Sequence, residues 1–107
     1  MPAIFKSYVS TNIGTSSVTV LSPSTKTIVI GLIVTNVYGS IMPVTLKLNK
    51  SGGPSVFLAK ATRVEAGAFT DLMKGNKLVV EVGDTLTIVS TDTAAFDVSL
   101  SVLEGVS

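Results

Sequence analysis

The sequence predicts an all-β fold, an antiparallel β-sandwich of jelly-roll or immunoglobulin-like type with about eight strands. Three observations point there. β-Branched residues dominate the chain, and Gly and Pro cut it into short runs of the kind that strands and turns produce. Several runs alternate apolar and polar residues with period two, which places one set of side chains on each face of a sheet. Little in the remaining sequence favours a helix.

Read from the start, residues 5–11 and 17–21 form brief alternating runs that predict short strands, with a turn at Ser22-Pro23-Ser24. Residues 27–35 differ, because apolar side chains occupy both alternating sets. In a two-layer sandwich one set packs against the opposite sheet, which leaves Val29 and Ile33 on an outer face that something must cover. The cover is either a loop or terminus of the same chain or a second subunit. Next comes the turn Asn36-Val37-Tyr38-Gly39-Ser40, followed by Ile41 and Met42. Large apolar side chains at a loop tip are costly to leave in water. Tyr38, Ile41 and Met42 therefore either fold back over one end of the core or contact another protein.

Val44, Leu46 and Leu48 alternate with Thr45, Lys47 and Asn49, and Ser51-Gly52-Gly53-Pro54 reads as a hairpin tip leading into a strand over 55–62. Residues 65–73 suit either a strand crossing between sheets or a single helical turn. Leu78, Val80 and Val82 alternate up to a turn at Gly83-Asp84, and Leu86 and Ile88 continue the pattern beyond it. The clearest strand spans 96–102, with Phe96, Val98, Leu100 and Val102 directed to the core and Asp97, Ser99 and Ser101 away from it.

At 107 residues the chain is sized for a single domain over 1–107. Apolar residues make up 46% and charged residues 14%, too apolar for disorder and poor in solubilising charge. The net charge of +1 comes from scattered side chains, with no basic cluster to follow a phosphate backbone or an anionic membrane. Neither nucleic acid nor a membrane is expected as a partner. The longest apolar stretch, residues 28–34, is far shorter than the roughly 20 residues of a spanning helix. The first residues, Met1-Pro2-Ala3-Ile4-Phe5-Lys6, lack the pattern of a secretory signal, so release into the cytoplasm is expected.

With no Cys and no His, the chain has no Ser-His-Asp triad, Cys-His pair, disulfide or thiolate and imidazole metal site. The acids Glu65, Asp71, Glu81, Asp84, Asp92, Asp97 and Glu104 are spread singly, without a calcium-binding loop. Asp84, after Gly83 in a turn, is expected to accept backbone hydrogen bonds. Ser51-Gly52-Gly53-Pro54-Ser55 lacks the Lys-Ser/Thr ending of a phosphate-binding loop. Carbohydrate modules usually offer aromatic platforms, and here there is no Trp and only Tyr8 and Tyr38 as candidate exposed rings. No catalytic residue, cofactor or metal is expected.

One family resemblance covers nearly the whole chain. A short first strand leads to Val18, then to the Ile-rich strand ending in Thr35-Asn36, then to an alternating strand and a Gly-rich tip. These are followed by Val64-Glu65-Ala66-Gly67, by Lys74-Gly75-Asn76-Lys77-Leu78-Val79-Val80-Glu81-Val82-Gly83-Asp84-Thr85-Leu86, and by the alternating strand that ends at Leu103-Glu104. This order resembles the small accessory virion proteins of tailed bacteriophages. The resemblance implies a structural subunit of the virion, assembled in the host cytoplasm: a capsid decoration or cement protein, or a neck, tail or baseplate component. It implies a homo-oligomer, with a trimer favoured, in contact with the major capsid protein or with neck and tail proteins. Val29, Ile33, Tyr38, Ile41 and Met42 are the expected contact residues. The alternative from another class is a receptor- or carbohydrate-binding module.

Overall fold

A computed structural model describes residues 3–105. Those residues form β1 (Ile4–Ile13), β2 (Val18–Leu21), β3 (Thr27–Asn36), β4 (Met42–Asn49), β5 (Ser55–Val64), β6 (Phe69–Asp71), β7 (Leu78–Val80), β8 (Thr85–Val89) and β9 (Phe96–Glu104), with no helix among them. The chain is an all-β sandwich.

The topology follows from one long antiparallel ribbon. β1 pairs with β9, β2 with β8, β3 with β6 and β7, and β4 with β5. The ribbon's closed end is the predicted hairpin tip, where Lys50 N–H donates to Pro54 O and Gly53 N–H donates to Lys50 O. Wrapping brings β9 beside β3 and β8 beside β4. The result is one sheet in the order β1-β9-β3-β6, with β7 also on β3, and a second in the order β2-β8-β4-β5. This winding is a jelly roll, and it decides between the two predicted topologies.

The core lies between the sheets. Phe96, Val98, Leu100 and Val102 from β9 are buried, as are Val44, Leu46 and Leu48 from β4 and Leu86 and Ile88 from β8. Each fully buried side chain of this size contributes about 1.5–3 kcal/mol relative to exposure. The buried polar groups Thr27, Asn36, Asp84 and Ser90 are satisfied internally: no buried side-chain nitrogen or oxygen among the described residues lacks a hydrogen-bond partner.

Three expectations need correction. Val29 is fully buried, not on an outer face. The register of β3 against β9 slips between Val29 and Gly31, and this bulge reverses which alternating set points inward. Thr27 and Val29 face the core before it, and Leu32, Val34 and Asn36 after it. The doubly apolar run is thus one inward set that changes phase. Val82, expected inside, is 62% exposed, because β7 ends at Val80 and residues 81–84 form a turn closed by Asp84 N–H donating to Glu81 O. Met42 belongs to the core, 9% exposed, because β4 already begins there and pairs it with Val64. The ambiguous stretch 65–73 is a tight turn at Glu65–Ala68 followed by strand β6.

Candidate functional site

Of the predicted contact residues, Ile33, Tyr38 and Ile41 are exposed, at 39%, 38% and 40%. Ile33 lies on the outer face of β3; Tyr38 and Ile41 lie on the loop that joins β3 to β4. The buried Val29 and Met42 do not join them. Asn36 builds the loop. Its side chain is fully enclosed; Nδ2 donates to Ser40 O at 2.9 Å and Val64 O at 2.8 Å, while Oδ1 accepts from Tyr38 N–H at 2.8 Å. One amide thus ties both ends of the loop to the end of β5.

A larger surface surrounds Ile33. Because Phe96, Val98, Leu100 and Val102 point inward, Asp97, Ser99, Ser101 and Leu103 point out, and their cross-strand partners share that face. Phe5 pairs with Leu103, Leu103 with Ile28, and Ile28 with Val79. The four side chains make a continuous apolar row across β1, β9, β3 and β7. A second row runs from Val9 through Ser99 to Ile33. Phe5 and Val9 are 74% and 75% exposed. Between the rows, Ser7 and Ser101 face each other. Shallow depressions lie over Ser101, walled by Phe5 and Ile30, and over Ser99, walled by Val9 and Thr35. Phe69, 68% exposed and opposite Thr35, extends the face onto β6. From Phe5 to Val9 the outward positions of β1, β9 and β3 carry no charge.

The opposite sheet is finished differently. Its outward positions include Thr85 and Thr87 from β8 and Thr45, Lys47 and Asn49 from β4. Asn49 Nδ2 donates to the hydroxyls of Thr85 and Thr87, each at 3.2 Å. The exposed Phe57 ring is covered by the ammonium groups of Lys47 and Lys60, 5.4 and 5.0 Å from its centroid. One face of the sandwich is thus polar, while the other carries apolar knobs and small-residue hollows.

Asp84, Asp71 and Glu104 have structural partners. Asp84 Oδ2 accepts from Lys50 Nζ at 2.6 Å and Glu81 N–H at 3.1 Å, and Oδ1 accepts from Ser51 N–H at 3.0 Å. The Lys50 bond, aided by the backbone donor of Ser51, lowers the carboxyl pKa from 3.8 to about 2. The predicted turn role of Asp84 is therefore observed. Asp71 Oδ1 accepts from Leu32 N–H and Met73 N–H. In the cleft between β1 and the turn after β2, Glu104 accepts from the Tyr8 hydroxyl and pairs with Lys6 at 3.8 Å. That hydrogen bond to Glu104 raises the Tyr8 pKa. Among the described residues Glu104 is the one carboxylate lining this cleft, whereas glycoside hydrolysis calls for two across a bond. Among the described residues no three Asp or Glu side chains gather as metal ligands.

No protein-family model matches the sequence, and no curated protein matches it. In architecture the chain is similar to a protein of Bacillus endospore appendages, described as disulfide-linked pili, with a TM-score of 0.62 at 14% identity over 98% of this chain and 89% of that one. It is also similar to part of a chain from the T13 IBDV viral particle, with a TM-score of 0.53 at 14% identity over 95% of this chain and 31% of that one. The chain spans about a third of the length of that viral protein. At such identities the likeness establishes the fold, and function must be argued from the surface.

Proposed function

We propose that this protein is a structural subunit of a multi-copy particle, a virion protein that decorates or cements a tailed-phage capsid through apolar contact. The observation that carries the reading is the outer face of the β1-β9-β3-β6 sheet, with its cross-strand row Phe5, Leu103, Ile28 and Val79. A face four strands wide and nine residues long covers roughly 570 Å² at about 4.8 Å per strand and 3.3 Å per residue. Packed on an equal area it buries roughly 1,100 Å², within reach of the ~1,000 Å² that a durable interface requires. Tyr38 and Ile41 at the loop tip supply a second contact, with a homotrimer as the favoured assembly and the major capsid protein as the partner. A neck, tail or baseplate position uses the same surfaces.

A particle role also accords with the architectural likeness to a viral-particle chain. A second reading, a filament subunit, is favoured by the likeness to the endospore-appendage protein over nearly the whole of both chains. Here any such filament must be held without disulfide cross-links, since the sequence has no Cys. A glycan-binding role would rest on Tyr38, and glycan-array binding abolished by Tyr38→Ala would establish it instead.

The test is the oligomeric mass of purified protein by light scattering, with Ile33→Lys and Phe69→Lys as surface variants and binding to the parent capsid as the second readout. Assembly and capsid binding in the parent protein, both lost in the variants with the fold retained, support the reading. A parent protein that stays monomeric at tens of micromolar and does not bind the capsid refutes it.

A further inference from the structure

We propose that β1 is the element through which two copies of this chain join, edge to edge and antiparallel, about a two-fold axis at Ser7. The inference deepens the structural-subunit reading and rests on it. It comes from comparing the sheet edges. Proteins blunt exposed edges by shortness, bulges or charge, because unpaired backbone groups recruit other strands.

Three of the edges here are blunted. β2 has four residues, and β6 and β7 have three each. β5 is long, but its register against β4 slips twice, Ala61 sits at φ 52°, and it carries Lys60 and Arg63. β1 is the exception. Among the described residues its only strand partner is β9, in unbroken register from Ile4 to Ser10. Ile4, Phe5, Tyr8 and Val9 are all exposed along it. Its one charge in that run, Lys6, is paired with Glu104 on its own chain. Over Ile4–Ser10 the edge is regular, with Phe5 and Val9 flanking Ser7 on its outer side and Ile4 and Tyr8 flanking Lys6 on the other; the slip in β1, with Asn12 at φ 59°, falls beyond this run.

A second β1 is the occupant that fits. An isologous contact needs a self-complementary element, and an axis at Ser7 sets Phe5 opposite Val9 of the other copy, Lys6 opposite Tyr8, and Ser7 opposite Ser7. No like charges meet. An axis one residue earlier would oppose the two Lys6 side chains. In the Ser7 register the apolar rows of the two outer faces join into one sheet spanning both copies.

Sedimentation equilibrium and backbone amide exchange on the intact protein, on Ser7→Lys, on Ser7→Glu and on their equimolar mixture test the proposal. The parent protein should form even-numbered assemblies, a pair of chains or two trimers joined through β1, and amides at alternate residues of Ile4–Ser10 should slow as protein concentration rises. Either variant, placing like charges across the axis, should raise the dissociation constant by up to about fivefold, and the mixture should restore association. The exchange pattern of the parent protein decides the matter even where a variant folds poorly. Association unchanged by both variants, or no concentration-dependent protection in β1, overturns the edge contact. An assembly that survives Ser7→Lys but is lost in Ile33→Lys overturns it while leaving the structural-subunit reading intact.

Discussion

Replacing Asn36 by Asp changes one NH2 group to oxygen and leaves the shape intact, which makes it a sharp probe of the loop that carries Tyr38 and Ile41. The Asn36 side chain is fully enclosed, and its Nδ2 faces two carbonyls, Val64 O at 2.8 Å and Ser40 O at 2.9 Å. A carboxylate keeps the bond from Tyr38 N–H but offers neither carbonyl a donor. The buried Val64 carbonyl loses its side-chain donor, at about 1–3 kcal/mol; the Ser40 bond adds about 1 kcal/mol, and charge against two oxygens adds more, for a total of about 3–5 kcal/mol near pH 7. Burial and the carbonyls push the introduced carboxyl's pKa up in the folded state. A raised acid pKa means that the native state binds more protons than the unfolded chain, so stability falls as pH rises between the two pKa values. The deficit of Asn36→Asp should therefore shrink on acidification, as the protonated group regains one donor. Urea denaturation followed by far-UV circular dichroism, at fixed protomer concentration and several pH values, measures this directly. A variant within about 0.5 kcal/mol of the parent at neutral pH, or a deficit independent of pH, would refute the reasoning.

Further outcomes follow from the packing. Phe96→Ala should destabilise by about 3–5 kcal/mol in the same denaturation assay, because Phe96 is fully buried and the cavity cannot collapse completely. Deleting Gly31 should preserve cooperative folding, as judged by a sigmoidal thermal transition: without the extra residue, Leu32, Val34 and Asn36 continue the inward alternation of Thr27 and Val29, and a loss of that transition would contradict the bulge reading. For Asp84, whose folded pKa is depressed to about 2 from 3.8, the ionic contribution is present above about pH 4 and lost as pH falls towards 2. Asp84→Asn should lower stability at neutral pH and flatten that acid limb in a pH series of thermal unfolding.

Much of the sandwich was legible in the sequence because its clearest strands are half-buried and regular. Phe96 to Val102, Val44 to Leu48 and Leu86 with Ile88 alternate cleanly, and each inward residue is buried. The turn chemistry of Gly83-Asp84 was equally readable, since Gly83 adopts φ 92° and Asp84 accepts from the local Glu81 N–H, although its second backbone donor, Ser51 N–H, lies 33 positions away. Phase was not legible where a bulge intervenes. Gly31 is the one sign in residues 27–35 of where β3 slips against β9; one unbroken alternation placed Ile33 correctly on the outer face but put Val29 there too, which the change of phase buries. The jelly-roll winding lies in pairings between distant residues, such as Ile28 with Leu103 and Leu48 with Leu86. The contact surface shares that property. Phe5, Ile28, Val79 and Leu103 look like unrelated strand residues until the register aligns them, and Phe69 lay in a stretch whose conformation depends on pairing with β3. Asn36 gave a turn signal, but its hold on Val64 is a contact across 28 positions.

Cryo-electron microscopy of the assembled protein on its parent particle tests the central claim most directly. The account predicts repeated copies in which the Phe5, Ile28, Ile33 and Phe69 face is covered by neighbouring protein while the Thr85 and Thr87 face meets solvent. Isolated copies with the apolar face in water, or a particle from which this chain is missing, would contradict it.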